Sequence, residues 1–134
     1  MKNVKVTIER GRDGRYSAYI ADDGCEFGCI GEGTSAKETE EDFLAGIEDI
    51  KSLYEKEGRS FPEYSFTFRY DIASFLNYYA YALSLAGLER ITGVNQRQLS
   101  HYATGLRRPS RATVLRIEKG VKAFAEDLSH VCFL

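Results

Sequence analysis

The sequence predicts an α+β protein: an N-terminal β-β-β-α-β unit over residues 1–70, then an all-helical unit over residues 71–134. Three observations predict it. Apolar residues alternate at period two over residues 4–8 and 64–70, as half-buried strands require. They recur at helical spacing from Phe43 onward and again through most of the second half. Gly, Asp, Asn and Ser stand at the joints between these patterns, where turns and helix caps belong.

Val4, Val6 and Ile8 alternate with Lys5, Thr7 and Glu9, which makes the first strand. Gly11-Arg12-Asp13-Gly14 is a hairpin turn, and Tyr16, Ala18 and Ile20 form the returning strand. Ala21-Asp22-Asp23-Gly24 turns the chain again, and residues 25–30 read as a third strand. Gly28, Gly31 and Gly33 fit neither a dinucleotide-binding fingerprint nor a Walker loop, so turn or bulge duty is expected of them. A helix begins at Ser35, with Glu38 completing a capping box. Glu38, Glu40, Glu41 and Asp42 crowd its first turns, where the helix dipole favours negative charge. Phe43, Leu44, Ile47, Ile50 and Tyr54 form its apolar stripe, and Gly58 ends it. After Pro62, Tyr64, Phe66, Phe68 and Tyr70 alternate with Ser65, Thr67 and Arg69, giving a fourth strand with one aromatic face.

Asp71 caps the next helix, whose expected buried face is Ile72, Phe75, Leu76, Tyr79 and Leu83. No flexible linker separates the halves, so stiff coupling is expected. Leu85, Leu88 and Ile91 then mark a short helix stopped by Gly93. Asn95 caps another, with Gln98 three residues on in the capping-box position. Leu99 and Tyr102 face back towards the first of the pair, leaving Gln96, Arg97, Ser100, His101 and Thr104 outward. Amide, guanidinium and hydroxyl groups on one exposed face are the set that reads base edges in a major groove. Gln96, Arg97, Ser100 and His101 are therefore candidate base contacts. Arg107, Arg108 and Arg111 follow as candidate phosphate contacts. That is helix-turn-helix chemistry in helix-turn-helix order; the plain alternative is a helical hairpin with a solvated polar face. Ser110 caps a long last helix in which Val114, Ile117, Val121, Phe124, Leu128 and Val131 keep coiled-coil spacing. Such a seam either closes the helical core or meets a second copy.

Composition narrows the classes. The 134 residues are 43% hydrophobic, ordinary for a folded domain or two small ones. No apolar run approaches membrane-spanning length and the N-terminus lacks a signal-peptide core, so a cytoplasmic protein without membrane partners is expected. Cys25, Cys29 and Cys132 lack zinc-site spacing, and small buried thiols are expected of them, with no metal or other cofactor. Net charge is −2, unevenly spread. Residues 1–70 hold 10 Lys and Arg against 15 Asp and Glu, whereas residues 71–134 hold 8 against 5. An acidic half joined to a basic half suggests two differently charged partners. No catalytic role is expected: Asp22, Asp23 and Glu26 do not form a converging set of metal-binding carboxylates, and the two histidines serve neither acid–base nor nucleophilic chemistry.

Taken together, the chain resembles the HicB-type antitoxins of bacterial toxin–antitoxin operons over nearly its whole length. The resemblance rests on the three-strand opening, on Asp22-Asp23-Gly24-Cys25, and on Gly31-Glu32-Gly33-Thr34-Ser35 leading into an acidic helix. In the second half it rests on residues 93–102, on Gly105 and on Pro109-Ser110, a pattern that also looks like phage-repressor helix-turn-helix domains. Two positions depart: Glu89 stands where such repressors usually carry Ala, and Ala21-Asp22-Asp23 replaces a Pro-Asp pair. The resemblance implies a truncated ribonuclease-H-like domain that caps a small, basic, mRNA-cleaving toxin. It also implies a C-terminal domain that binds operator DNA as a homodimer or higher oligomer and represses its own operon. A stand-alone helix-turn-helix regulator, whose first half senses a ligand or dimerises, is the alternative.

Overall fold

The computed structural model describes residues 1–22 and 24–134 and is a mixed α+β protein. Strands β1 (Lys2–Arg10), β2 (Tyr16–Ile20) and β3 (Ile30–Gly33) precede helix α1 (Ala36–Lys56) and strand β4 (Tyr64–Tyr70). Helices α2 (Ile72–Tyr78), α3 (Leu85–Thr92), α4 (Gln96–Thr104) and α5 (Arg111–Ser129) follow, with a 3-10 turn at Tyr79–Tyr81. The chain forms two compact units, Met1–Ser74 and Phe75–Leu134. The division falls inside α2 because the first turn of that helix belongs to the sheet: Ser74 is buried, and its Oγ accepts a hydrogen bond from the Arg10 amide at 2.7 Å. Among the described residues no helix is long and apolar enough to cross a membrane.

The first unit is a four-stranded sheet in the order β3-β2-β1-β4, with α1 on one face. β1 pairs antiparallel with β2 and parallel with β4, so the Val4, Val6, Ile8 face aligns with Phe66, Phe68 and Tyr70. All three aliphatic side chains are fully buried, as their alternation requires. Across the layer α1 contributes Ala36, Thr39, Phe43, Ile47 and Tyr54. The Phe43 ring meets Phe66 edge-on at 5.4 Å and Phe68 at 5.7 Å, the geometry that the ring quadrupole favours. Leu44, expected in the stripe, is instead 43% exposed, because it lies one residue past the line of contact.

The third strand differs from expectation. Residues 25–29 are irregular, and pairing with β2 begins only at Ile30. The reason is the helix above. A Cβ on Gly31 would stand 2.6 Å from both the Phe43 amide nitrogen and the Thr39 carbonyl oxygen, and one on Gly33 2.9 Å from the Thr39 nitrogen. These glycines are strand residues on which helix backbone rests directly, not turn or bulge residues. The Glu32 amide, at the sheet edge, donates to Asp42 at 2.8 Å, tying strand to helix a second time. The irregular stretch covers one end of the core: Phe27 packs on Phe61 and Tyr64 with ring centres 5.6 and 5.5 Å away, and Glu26 accepts from the Tyr54 hydroxyl at 3.1 Å. Of the turn expected at residues 21–24, Asp23 lies outside the described residues. Cys25 and Cys29 are half-buried and Cys132 is exposed, so none is the fully buried thiol expected.

Capping follows sequence at the first partner and departs at the second. Ser35 accepts from the Glu38 amide at 3.1 Å, but the Glu38 carboxylate accepts from the Thr34 hydroxyl at 2.9 Å rather than reaching back to Ser35. In the second unit α2 is shorter than its apolar pattern suggests. Of its expected face only Leu76 is fully buried, while Ile72, Phe75, Tyr79 and Leu83 are half-buried. Leu88, Val94, Leu99, Tyr102 and Ile117 make the core of that unit.

Gly31→Ala should destabilise the protein by about 1–3 kcal/mol or more, because the obstructing atoms are backbone and cannot turn aside. Gly28→Ala, with nothing within 4 Å of the new methyl, should be neutral within about 0.5 kcal/mol. Urea unfolding of both variants checks this; equal stabilities would contradict the close approach.

Candidate nucleic-acid interface

The candidate site is built on the turn from α3 into α4. Apolar residues of α3 hold it to the core through Leu88, and Gly93 then takes a left-handed conformation, φ 73°, which a residue with a Cβ resists. Val94 is fully buried, so the turn is anchored inward. Asn95 caps α4, accepting from the Arg97 amide at 2.7 Å. The expected capping box is not formed: among the described residues the Gln98 side chain makes no bond to Asn95. Glu89 acts instead, its carboxylate reaching across the turn to accept from the Gln96 amide at 3.0 Å. A carboxylate suits this place, because the first amides of a helix carry partial positive charge.

A second brace comes from α5. The Arg116 guanidinium donates to the Gly93 carbonyl oxygen at 2.8 Å. α5 can come this near because position 120 is glycine: a Cβ there would sit 2.4 Å from the Ile91 carbonyl oxygen. Glu89 and Arg116 were not legible as site residues. Glu89 shows itself only as a departure from the repressor pattern, and Arg116 looks like any exposed basic residue of α5.

On α4, Leu99 and Tyr102 are buried against the core, as their spacing requires. Gln96 and Arg97 are exposed, and Ser100 and His101 are half-exposed. Gln96 and Ser100, and likewise Arg97 and His101, are four residues apart and so adjacent along the helix surface. Gln96, Arg97 and Ser100 also line an open depression with Leu85, Glu89 and Asn95. Arg107 and Arg108 lie in the segment between α4 and α5, with the Arg107 amide bonded to the His101 carbonyl at 3.2 Å. Arg111 is the first residue of α5, directly after the Ser110 cap. All three arginines are exposed, and among the described residues no carboxylate pairs with them or with Arg97.

Several carboxylates of the first unit, and the Cys29 thiol, have structural partners. Asp22 accepts from the Gly24 amide at 3.1 Å, and Asp23 lies outside the described residues. Burial pushes the Cys29 thiol up, and the Asp42 and Asp49 carboxylates push it the same way, away from the thiolate a metal needs. Among the described residues no three His, Cys, Asp or Glu side chains converge to hold a metal ion.

Compared with protein-family models, with curated proteins and with solved structures, the chain matches none.

Asn95→Ala and Glu89→Ala should each lower stability by about 1 kcal/mol, the usual worth of a helix N-cap contact. Thermal melts at neutral pH check this. If Glu89→Ala melts with the parent, the second cap contributes nothing and α4 is held by Asn95 alone.

Proposed function

We propose that this protein is an antitoxin-type repressor of the HicB kind, with α3, the turn and α4 forming a DNA-binding helix-turn-helix. The observation that carries the reading is the placement of cations where they cost folding stability. Arg97 stands in the first turn of α4 and Arg111 opens α5, both at the positive end of a helix dipole. A cation there loses about 0.3–1 kcal/mol, and an anionic ligand over the same amides recovers it. Arg107 and Arg108 add charge between those two helix ends. Phosphate is the ligand this arrangement suits.

In this reading α4 enters the major groove. Arg97 contacts a base edge directly, with Gln96, Ser100 and His101 beside it, and Arg107, Arg108 and Arg111 grip phosphates. One such module binds modestly, so a homodimer or higher oligomer acts on an inverted repeat. The acidic first unit, a truncated ribonuclease-H-like domain, caps a small basic toxin, and opposite charge speeds and orients that encounter. The protein acts in the cytoplasm, as a binder rather than a catalyst.

Arg97→Ala should relax sequence preference and cost roughly 1–3 kcal/mol per site. Arg108→Ala should weaken specific and scrambled duplex alike and flatten the salt dependence by about one phosphate's worth. Gel-shift titrations on both duplexes separate these outcomes, and unchanged binding in both variants would sink the assignment. The toxin half of the reading is tested by co-expression with the product of an adjacent reading frame for a small basic protein. A stable complex recovered by pull-down supports it; no complex favours a stand-alone regulator.

A further inference from the structure

Between Asp71 and Glu126 the sequence carries only two acidic residues, Glu89 and Glu118. Glu118 is taken up within α5, pairing with Lys122 at 3.1 Å. Among the described residues no cation pairs with Glu89. It is half-buried on α3 and lines the open depression with Leu85, Asn95, Gln96, Arg97 and Ser100. Three of those are candidate base contacts, so an uncompensated carboxylate of this basic stretch stands beside them.

The two helix ends that carry cations are capped differently. At α4 the Gln96 amide donates to the Glu89 carboxylate at 3.0 Å, and the Arg97 amide to Asn95 at 2.7 Å. At α5 Ser110 takes the Thr113 amide at 3.2 Å, and among the described residues nothing accepts from the Arg111 and Ala112 amides. A phosphate over α5 therefore meets free donors. Over α4 it meets a carboxylate already seated on the amide it would use.

We propose that Glu89 is a specificity-determining residue: its charge keeps phosphate off the first turn of α4 and so reserves that turn for base edges. This role rests on the DNA reading above and narrows it, leaving the α5 end, with Arg107, Arg108 and Arg111, as the phosphate grip. On non-specific duplex essentially all affinity comes from phosphate, so an anion on the contact face counts in full. On specific duplex the base contacts hold the depression against base edges, where the carboxylate meets no phosphate. The same carboxylate thus braces the turn by its hydrogen bond and discriminates between duplexes by its charge.

Titrations of specific and scrambled duplex with the full chain, at several salt concentrations, test this. Glu89→Gln keeps an oxygen for the Gln96 amide and removes only the charge. It should tighten binding to scrambled duplex about three- to fivefold, the worth of one charge at a helix end. Its salt slope on that duplex should steepen by about one phosphate's worth. Binding to specific duplex should change less than about 1.5-fold, so the specificity ratio falls. Glu126→Gln, which removes the same charge near the far end of α5, should leave the ratio as in the wild type. Amide NMR with inorganic phosphate gives a readout free of DNA. At about 20 mM phosphate the Arg111 and Ala112 amides of the wild type should shift and the Gln96 amide should not. Glu89→Ala, which frees that amide, should let it shift as well. An unchanged specificity ratio in Glu89→Gln, or a Gln96 amide that stays in place in Glu89→Ala, would overturn the proposal. Loss of specific binding alone in Glu89→Gln would also overturn it, by making the carboxylate a base contact. A wild type that ignores duplex DNA while the phosphate shifts follow this pattern would support the exclusion of phosphate and remove the DNA reading instead.

Discussion

The aim of α4 depends on one constraint: the turn before it is tied down by hydrogen bonds at Gly93, Val94, Gln96 and Arg97. The Gly93 amide donates to the Glu89 carbonyl at 2.7 Å, and the Gly93 carbonyl accepts from Arg116. The Val94 amide donates to the Thr92 hydroxyl at 3.1 Å. The first two amides of α4, of Gln96 and Arg97, go to the Glu89 carboxylate and the Asn95 side chain. A rearrangement that broke these bonds would strand their donors and acceptors, which makes it costly. Rigidity at the turn fixes the direction of the helix that leaves it. Groups on α4 are then presented as a set, as the proposed reading of a groove requires.

Both units reach close helix packing by leaving out a side chain. In the first, β3 offers Gly31 and Gly33 to the backbone of α1 at Thr39 and Phe43. In the second, α5 offers Gly120 to α3 at Ile91. The effect differs with place. Under α1 the missing Cβ lets the helix settle on the sheet, so that Phe43 sinks between Phe66 and Phe68. Beside α3 it brings Arg116 within hydrogen-bond reach of the turn. A small residue thereby sets the position of a large one some distance along the chain, because interiors are packed too tightly to leave the gap open.

Charge is sorted as well as segregated. The eight cations between residues 90 and 122 do not form one undifferentiated patch. Arg116 is committed to the Gly93 carbonyl, and Lys122 pairs with Glu118 on its own helix. Arg97, Arg107, Arg108 and Arg111 have no such commitment among the described residues. In the acidic half, Asp42 and Glu26 hold structure through the Glu32 amide and the Tyr54 hydroxyl, while most of the remaining carboxylates of α1 face solvent.

Period and caps settled much from the sequence alone. Alternation at Val4, Val6 and Ile8 located β1, and that at Tyr64, Phe66, Phe68 and Tyr70 set the bounds of β4. Ser35, Asn95 and Ser110 marked where helices begin, and Gly93 where one stops. These signals are legible because strand pleat, helical turn and cap each act over a few neighbouring residues. The tertiary structure decided the rest. Residues 25–29 lost the strand to Ile30–Gly33 because only glycines fit beneath α1, and α1 lies outside that local window. Glu89, not Gln98, supplies the second cap, accepting from the Gln96 amide, and Arg116 joined the turn from 23 residues away. The α5 seam was legible as one continuous line, yet Ile117 is buried and Leu128 exposed, a division its spacing does not record. A local pattern records which face is apolar; only packing in three dimensions decides what that face touches.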